Sequence, residues 1–221
     1  TTIYKDKIKL LCKFKQYVFR KGKKKKQVPI AKEIETDVNA PIDGYTASGK
    51  SSVGELLAKK LNYRFIDSGL FYCYIASNFS DLEEFRIILW LSNQQEENIL
   101  TQVNQINNNQ LISDELLIKV ANNVNIRKAI NKVIQEITKQ KGYIVAGRDA
   151  TFNILPDAEI KIFLTAEFNA RVNRRIKQFN IKAFNNVWLE ILKQDSSSSD
   201  LIKQAKKISQ NIDTTYLELS E

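Results

Sequence analysis

Residues 38–52 read VNAPIDGYTASGKSS. An apolar run ends at Asp43. Gly44 then opens a pattern of glycine, four residues, glycine, lysine and serine that closes at Ser51. From Ser52 onward Val53, Leu56, Leu57 and Leu61 recur at a spacing that places them on one face of a helix, and Asn62 follows as a stop. The stretch therefore reads as a strand, a glycine-bearing loop and a helix. Glycine lets backbone N–H groups turn toward an anion, the helix start adds the positive end of its dipole, and Lys50 adds a point charge. Pro41 conflicts with a central strand because proline lacks a ladder donor. The strand is expected to be short, or the sheet irregular at this point.

Working outward, residues 63–66, 143–146 and 159–165 are short apolar runs bounded by turn signals, which fits buried parallel strands. A last strand is expected at 208–212. Residues 52–61, 71–79, 82–91, 126–140, 167–178 and 187–193 read as helices, and Ser113 opens another, with Asp114 and Glu115 in its first turn. Residues 94–110 are polar and rich in asparagine, and read as a loosely ordered helix and loop. The four serines at 196–199 read as a flexible loop. Strands alternating with helices predict an α/β fold, a parallel sheet with helices on both faces.

The 221 residues are 43% hydrophobic and 27% charged, enough for one packed domain. Charge divides the chain. Residues 1–30 carry 11 Lys or Arg against the single acid Asp6, a net of +10, whereas the remainder carries 23 basic and 24 acidic residues, a net of −1. Tyr4, Ile8, Leu11, Phe14 and Val18 predict a short basic amphipathic helix, followed by a charged linker at 20–26. We expect a basic extension over 1–33 and a domain over 34–221, with the extension binding RNA or a ribonucleoprotein through residues 1–30. No stretch approaches the roughly 20 apolar residues of a membrane span. Cys12 and Cys73 make no disulfide framework. A cytoplasmic location is expected, with an organelle after processing as the alternative.

Within the loop, Gly44, Ala47, Ser48, Gly49, Lys50, Ser51 and Ser52 are the expected contacts to a nucleoside triphosphate. Lys50 would reach the β- and γ-phosphates and the Ser51 hydroxyl would ligate Mg²⁺. Further motifs add to this. Phe65-Ile66-Asp67-Ser68-Gly69-Leu70-Phe71-Tyr72 follows the loop, Val145-Ala146-Gly147-Arg148-Asp149 comes later, and Pro156 to Ala166 reads PDAEIKIFLTA. Arg171, Arg174 and Arg175 share one helix, and Ile212-Asp213-Thr214-Thr215 closes the set. In order and content these motifs resemble the bacterial cytidylate kinase family, which reads IDG with GSGKST, LDTGAMYR, GRDIGT, PDAELKIFLTA and a final IDTS. The resemblance spans about residues 38–217. It implies a P-loop kinase fold, with a small substrate-binding insertion around 68–140 and a lid near 171–200.

It also implies transfer of the γ-phosphate of ATP, with Mg²⁺, to CMP or dCMP. Lys50, Arg148, Arg171 and Arg175 would be the catalytic set. Arg148 and Arg127 would grip the acceptor phosphate, Asp149 would accept from the exocyclic amine of the pyrimidine, and Asp67 would complete the acceptor site. This chain departs from the family at several places. Cys73 stands where the family has arginine. Gln194-Asp195-Ser196-Ser197-Ser198-Ser199-Asp200-Leu201 stands where the family reads RDxxDxxR, so both arginines are missing. Ala150-Thr151-Phe152 replaces IGT, and Ile118 replaces a serine. Each lost charge-assisted contact costs about 1.5–3 kcal/mol. A second reading follows, in which a kinase-fold protein has lost phosphoryl transfer and serves structurally in a ribosome or another large complex.

Overall fold

The computed structural model describes residues 38–79, 83–106, 113–179 and 184–219. The basic helix, the charged linker and the RNA contact expected of residues 1–30 lie outside these. The described chain begins at the strand of the quoted stretch. β1 spans Ala40–Gly44 and passes through the loop into α1, Lys50–Leu61. β2 (Arg64–Asp67) leads into α2 (Ser68–Asn78), α3 (Glu84–Ser92), α4 (Glu96–Asn104), α5 (Asp114–Asn122) and α6 (Val124–Ile137). β3 (Tyr143–Gly147) and β4 (Ile162–Thr165) follow, then α7 (Phe168–Phe179), α8 (Phe184–Ser197), α9 (Ser199–Ile208) and β5 (Gln210–Asp213).

The five strands lie in the order β2-β3-β1-β4-β5, and every pairing is parallel. Alternation along each strand assigns the two faces. Ala40, Ile42, Ile144, Ile162 and Leu164 pack with Leu57, Ala58 and Leu61 of α1. Ile66, Tyr143 and Val145 point the other way, into a larger core with Phe71, Ile75, Ile99, Val103, Ile126, Ile130 and Ile134. Phe163 meets Ile202 and Ala205 of α9. The helices α2–α6 thus fill the chain between β2 and β3 and supply most of the second face.

Pro41 lies inside the central strand. Its register partner is Val145 on β3, and the ladder to β4 starts only at Ile42. The proline thus stands where β1 has a registered neighbour on one side, which is how the strand accommodates it.

Several helix boundaries differ from expectation for local reasons. The expected 94–110 segment contains an ordered helix, α4, which buries Ile99, Leu100 and Val103. Asn123 ends α5 and caps α6, accepting from the N–H groups of Asn125 and Ile126 at 3.0 Å each. The serine run is a helix junction, not a flexible loop. Ser197 and Ser198 donate through their hydroxyls to the Gln194 carbonyl at 2.9 and 3.0 Å, and α9 starts at Ser199. Among the described residues no helix is long and apolar enough to cross a membrane.

Candidate functional site

The C-terminal ends of β1, β2 and β3 open on the same edge of the sheet, where parallel α/β proteins place ligands. β1 delivers the loop. A methyl group on Gly44 would stand 2.4 Å from the Leu164 carbonyl oxygen and 2.8 Å from Ser48 Oγ, so the loop can leave the sheet only through glycine. Gly49 sits at φ 100° immediately before α1 and leaves the first N–H groups of that helix without a side-chain cap. The site is therefore rich in directed donors. Lys50, the first residue of α1, donates Nζ to the Tyr45 carbonyl at 2.7 Å. Its pKa is pushed down to about 7, first by loss of water around the ammonium and then by Arg148, against the pull of Asp67, Asp195 and Asp43. Ser51 Oγ donates to Asp67 Oδ2 at 2.5 Å, and the other Asp67 oxygen caps α2 by accepting from Gly69 N at 2.9 Å. Ser48 Oγ is buried without a partner. Ser52 is exposed.

β3 delivers Arg148 and Asp149, and β1 fixes the turn that carries them. Asp43 points to the face opposite Ile42 and is fully buried. Its Oδ1 accepts from Ala150 N at 3.0 Å; its Oδ2 accepts from Thr151 N at 2.9 Å and Thr151 Oγ1 at 2.6 Å. Residues 150–154 form a short π-helical turn on this anchor, in place of the glycine of the related motif. Burial raises the Asp43 carboxyl to about 6, against the pull of the Thr151 and Ala150 bonds. Asp43→Ala is expected to leave two buried N–H groups unpartnered and to cost about 2–4 kcal/mol of stability, read from urea unfolding. A loss below about 0.5 kcal/mol would show that the turn holds itself.

Two groups of charges stand on this frame. In the first, the Asp195 carboxylate of α8 lies on the loop. It accepts from Thr46 N at 2.9 Å and Thr46 Oγ1 at 2.8 Å, and it pairs with Arg148 at 3.3 Å and Arg171 at 2.6 Å. Arg171 is buried, also donates to the Thr46 carbonyl at 3.0 Å, and lies over the rings of Tyr45 and Phe168. In the second group, Asp149 Oδ2 pairs with Arg127 at 3.2 Å and accepts from Asn131 Nδ2 at 3.2 Å and Asn153 Nδ2 at 3.0 Å. Arg127 covers the Tyr72 ring at 5.2 Å.

The expected site residues thus fall into place unevenly. Lys50, Ser51, Asp67, Arg148 and Arg171 gather at the loop with Gly44, Ala47, Ser48 and Gly49. Arg127 and Asp149 form the neighbouring pair. Arg175 is bound to Glu190 of α8 at 2.9 Å and lies close enough for its charge to act on Cys73. Arg174 binds Thr214 Oγ1 at 3.0 Å, and Thr214 in turn donates to the Ser48 carbonyl of the loop at 3.0 Å, so this arginine supports the loop from behind Thr214. Burial pushes the Cys73 thiol up to about 11, so it is an inert side chain. Sequence reading did not single out Asp43, Thr46 or Asn131 as site residues. Asp43 had a signal in the IDG motif and Thr46 in its place inside the loop; Asn131 had none.

The family description "Cytidylate kinase" matches residues 40–221. The chain belongs to the cytidylate kinase family. Its cytidylate kinase relatives include one from Mesomycoplasma hyopneumoniae (strain 7448), 32% identical over 205 residues, covering 82% of this chain and 86% of the relative. Another, from Mycoplasmopsis synoviae (strain 53), is 36% identical over 179 residues, covering 72% and 79%. Among solved structures, a shikimate kinase from Bacteroides thetaiotaomicron aligns over 83% of this chain and 89% of its own at 17% identity, with a TM-score of 0.45, too loose a likeness to bear on function.

Proposed function

We propose that this cytidylate kinase family member transfers the γ-phosphate of ATP to the 5′-phosphate of CMP or dCMP. The observation that carries the reading is the convergence of Arg148 and Arg171 on the phosphate loop, with the Arg127–Asp149 pair beside it on the same sheet edge. The first group suits a transferring phosphoryl group, the second a nucleotide with both an anion and a base to recognise. An oxygen of the acceptor phosphate would attack the γ-phosphorus while the bond to the β-bridging oxygen breaks and ADP leaves. Lys50 would neutralise charge on the β- and γ-oxygens, and Arg171 and Arg175 would close over them and exclude water. Arg148 and Arg127 would orient the acceptor phosphate, and Asp149 would take an N–H of the base.

Among the described residues no group of three His, Cys, Asp or Glu could hold a metal ion unaided. Ser51 Oγ and Asp67 nevertheless offer adjacent hard oxygens, and Mg²⁺ is commonly held by one or two protein oxygens together with phosphates and water. The residues fit that ion, which would neutralise charge between the β- and γ-phosphates.

A coupled assay with CMP, dCMP and UMP tests the reaction, and absence of ADP formation with all three would end the proposal. Turnover with CMP is expected below the 1–100 per second common to kinases, because Cys73, Gln194 and Leu201 supply no guanidinium. Cys73→Arg is expected to lower KM for CMP about tenfold. Ordinary turnover by the unaltered chain would show that the missing arginines were not needed.

A further inference from the structure

We propose that Thr214, oriented by Arg174, is a positioning residue for the phosphate loop: its hydroxyl holds the Ser48 carbonyl from behind and so turns the Gly49 N–H toward a bound triphosphate. The inference rests on the reading of the loop as the ATP site. Ala47 lies at φ 57° and Gly49 at φ 100°, so Ser48 stands between two left-handed residues. Such a turn aims successive N–H groups at one point, where an anion can sit. The peptide between Ser48 and Gly49 is planar and trans, and its C=O and N–H point in opposite directions. Whatever holds the carbonyl therefore also aims the N–H. Glycine accepts positive and negative φ alike, so residue 49 offers little resistance of its own to rotation of that peptide.

The holder is Thr214, the residue after β5. Its Oγ1 lies 3.0 Å from the Ser48 carbonyl and 3.0 Å from the Thr165 carbonyl at the end of β4, and it accepts from Arg174 Nη1 at 3.0 Å. A hydroxyl has one hydrogen. Arg174 takes a lone pair, so the hydrogen points toward the carbonyls. The Thr165 carbonyl already accepts from Thr214 N at 2.8 Å, which leaves the hydroxyl hydrogen for Ser48. Both ends of this bond are closed to solvent, Ser48 at 0% and Thr214 at 8% exposure, so water is a poor substitute. Arg174 is itself fixed. Its Nη2 donates to the carbonyls of Thr214, Thr215 and Leu217, and Thr215 Oγ1 accepts from Glu167 N at 2.9 Å just before α7. The turn after β5 thus ties the start of α7 to the loop.

Calorimetry with the full chain and ATP or CMP tests the inference. Thr214→Val keeps the shape and removes the hydroxyl. It is expected to weaken ATP binding at least tenfold, about 1.4 kcal/mol, and to change CMP binding less than twofold, while Thr214→Ser stays within twofold of the unaltered chain for both. Equal losses for the two nucleotides, or no rescue by serine, would make Thr214 a general prop of the sheet edge and overturn the proposal, as would unchanged ATP affinity. Arg174→Met is expected to weaken ATP binding in the unaltered chain and to add less than twofold in Thr214→Val, because residues acting through one bond are not additive. Additive losses would overturn the part given to Arg174. The same variant carries the comparison should Thr214→Val fail to melt cooperatively. Glycine-selective ¹⁵N labelling separates this inference from the ATP reading. The chain has seven glycines, and the Gly49 amide signal, recorded without nucleotide, is expected to move and broaden in Thr214→Val. That change in a chain that binds no ATP would end the ATP reading and leave the role of Thr214 intact. An unmoved Gly49 signal would overturn that role whatever the loop binds.

Discussion

Lys50→Met is expected to reduce phosphoryl transfer about 10²–10³-fold and to weaken ATP binding at least tenfold, without loss of fold stability. The first part follows from position. Lys50 begins α1 at the mouth of the loop, and its ammonium donates to the Tyr45 carbonyl of the loop itself. The second follows from charge. The pKa of Lys50 falls from 10.5 to about 7 on folding. Between those values the unfolded chain holds a proton that the folded chain has released, so stability should rise with pH from about 7 to 10.5. Methionine has nothing to titrate, and the difference between the two stability curves should shrink as pH rises through that window. A bound triphosphate would restore the ammonium, so ATP binding at pH 8 should take up a proton, visible as a buffer-dependent heat. Equal ATP affinity for both proteins would show that the loop does not bind the nucleotide.

Asp195→Ala should have the largest effect on stability. One carboxylate satisfies Thr46 N–H, the Thr46 hydroxyl, Arg148 and Arg171. Removing it leaves two guanidinium groups without their counterion, a loss of about 3–5 kcal/mol. For a domain of this size that lowers Tm by roughly 10 °C. The same donors would suit a phosphate, so saturating ATP should restore more of the melting temperature in the variant than it adds to the unaltered chain. Equal shifts in the two proteins would show that the carboxylate and the nucleotide use different donors.

The parts of the site that a single local pattern encodes were legible in the sequence. Gly44, Gly49, Lys50 and Ser51 declare a strand, a loop and a helix start within a dozen residues, and Arg148–Asp149 follows a short apolar run that fits a buried strand. What escaped depends on contacts between distant segments. Asp43 reads as the end of a strand, and its task appears only when β3 brings Ala150 and Thr151 beside it. Arg174 and Arg171 share a helix and a charge and stand only about 60° apart around it, yet the long side chains reach different partners, Thr214 and Asp195. Ser196–Ser199 misled because composition signals a loop, whereas hydroxyls returned to the Gln194 carbonyl make the run a junction between two helices. Pro41 misled in the opposite sense: the rule against proline in a central strand holds residue by residue, and β1 has only one registered neighbour at that residue.

The strand order also has a consequence for synthesis. β1 is the middle of the sheet and the first of the described strands to leave the ribosome, yet both its neighbours, β3 and β4, come about a hundred residues or more later. At about 5–20 residues per second, the apolar edge of β1 waits for roughly 5–20 s before either partner exists. The helices between β2 and β3 pack largely on one another and can form in the meantime. The segment most exposed to premature association during translation is therefore the one that carries the phosphate loop, and chaperone demand should fall on nascent chains that end before Tyr143.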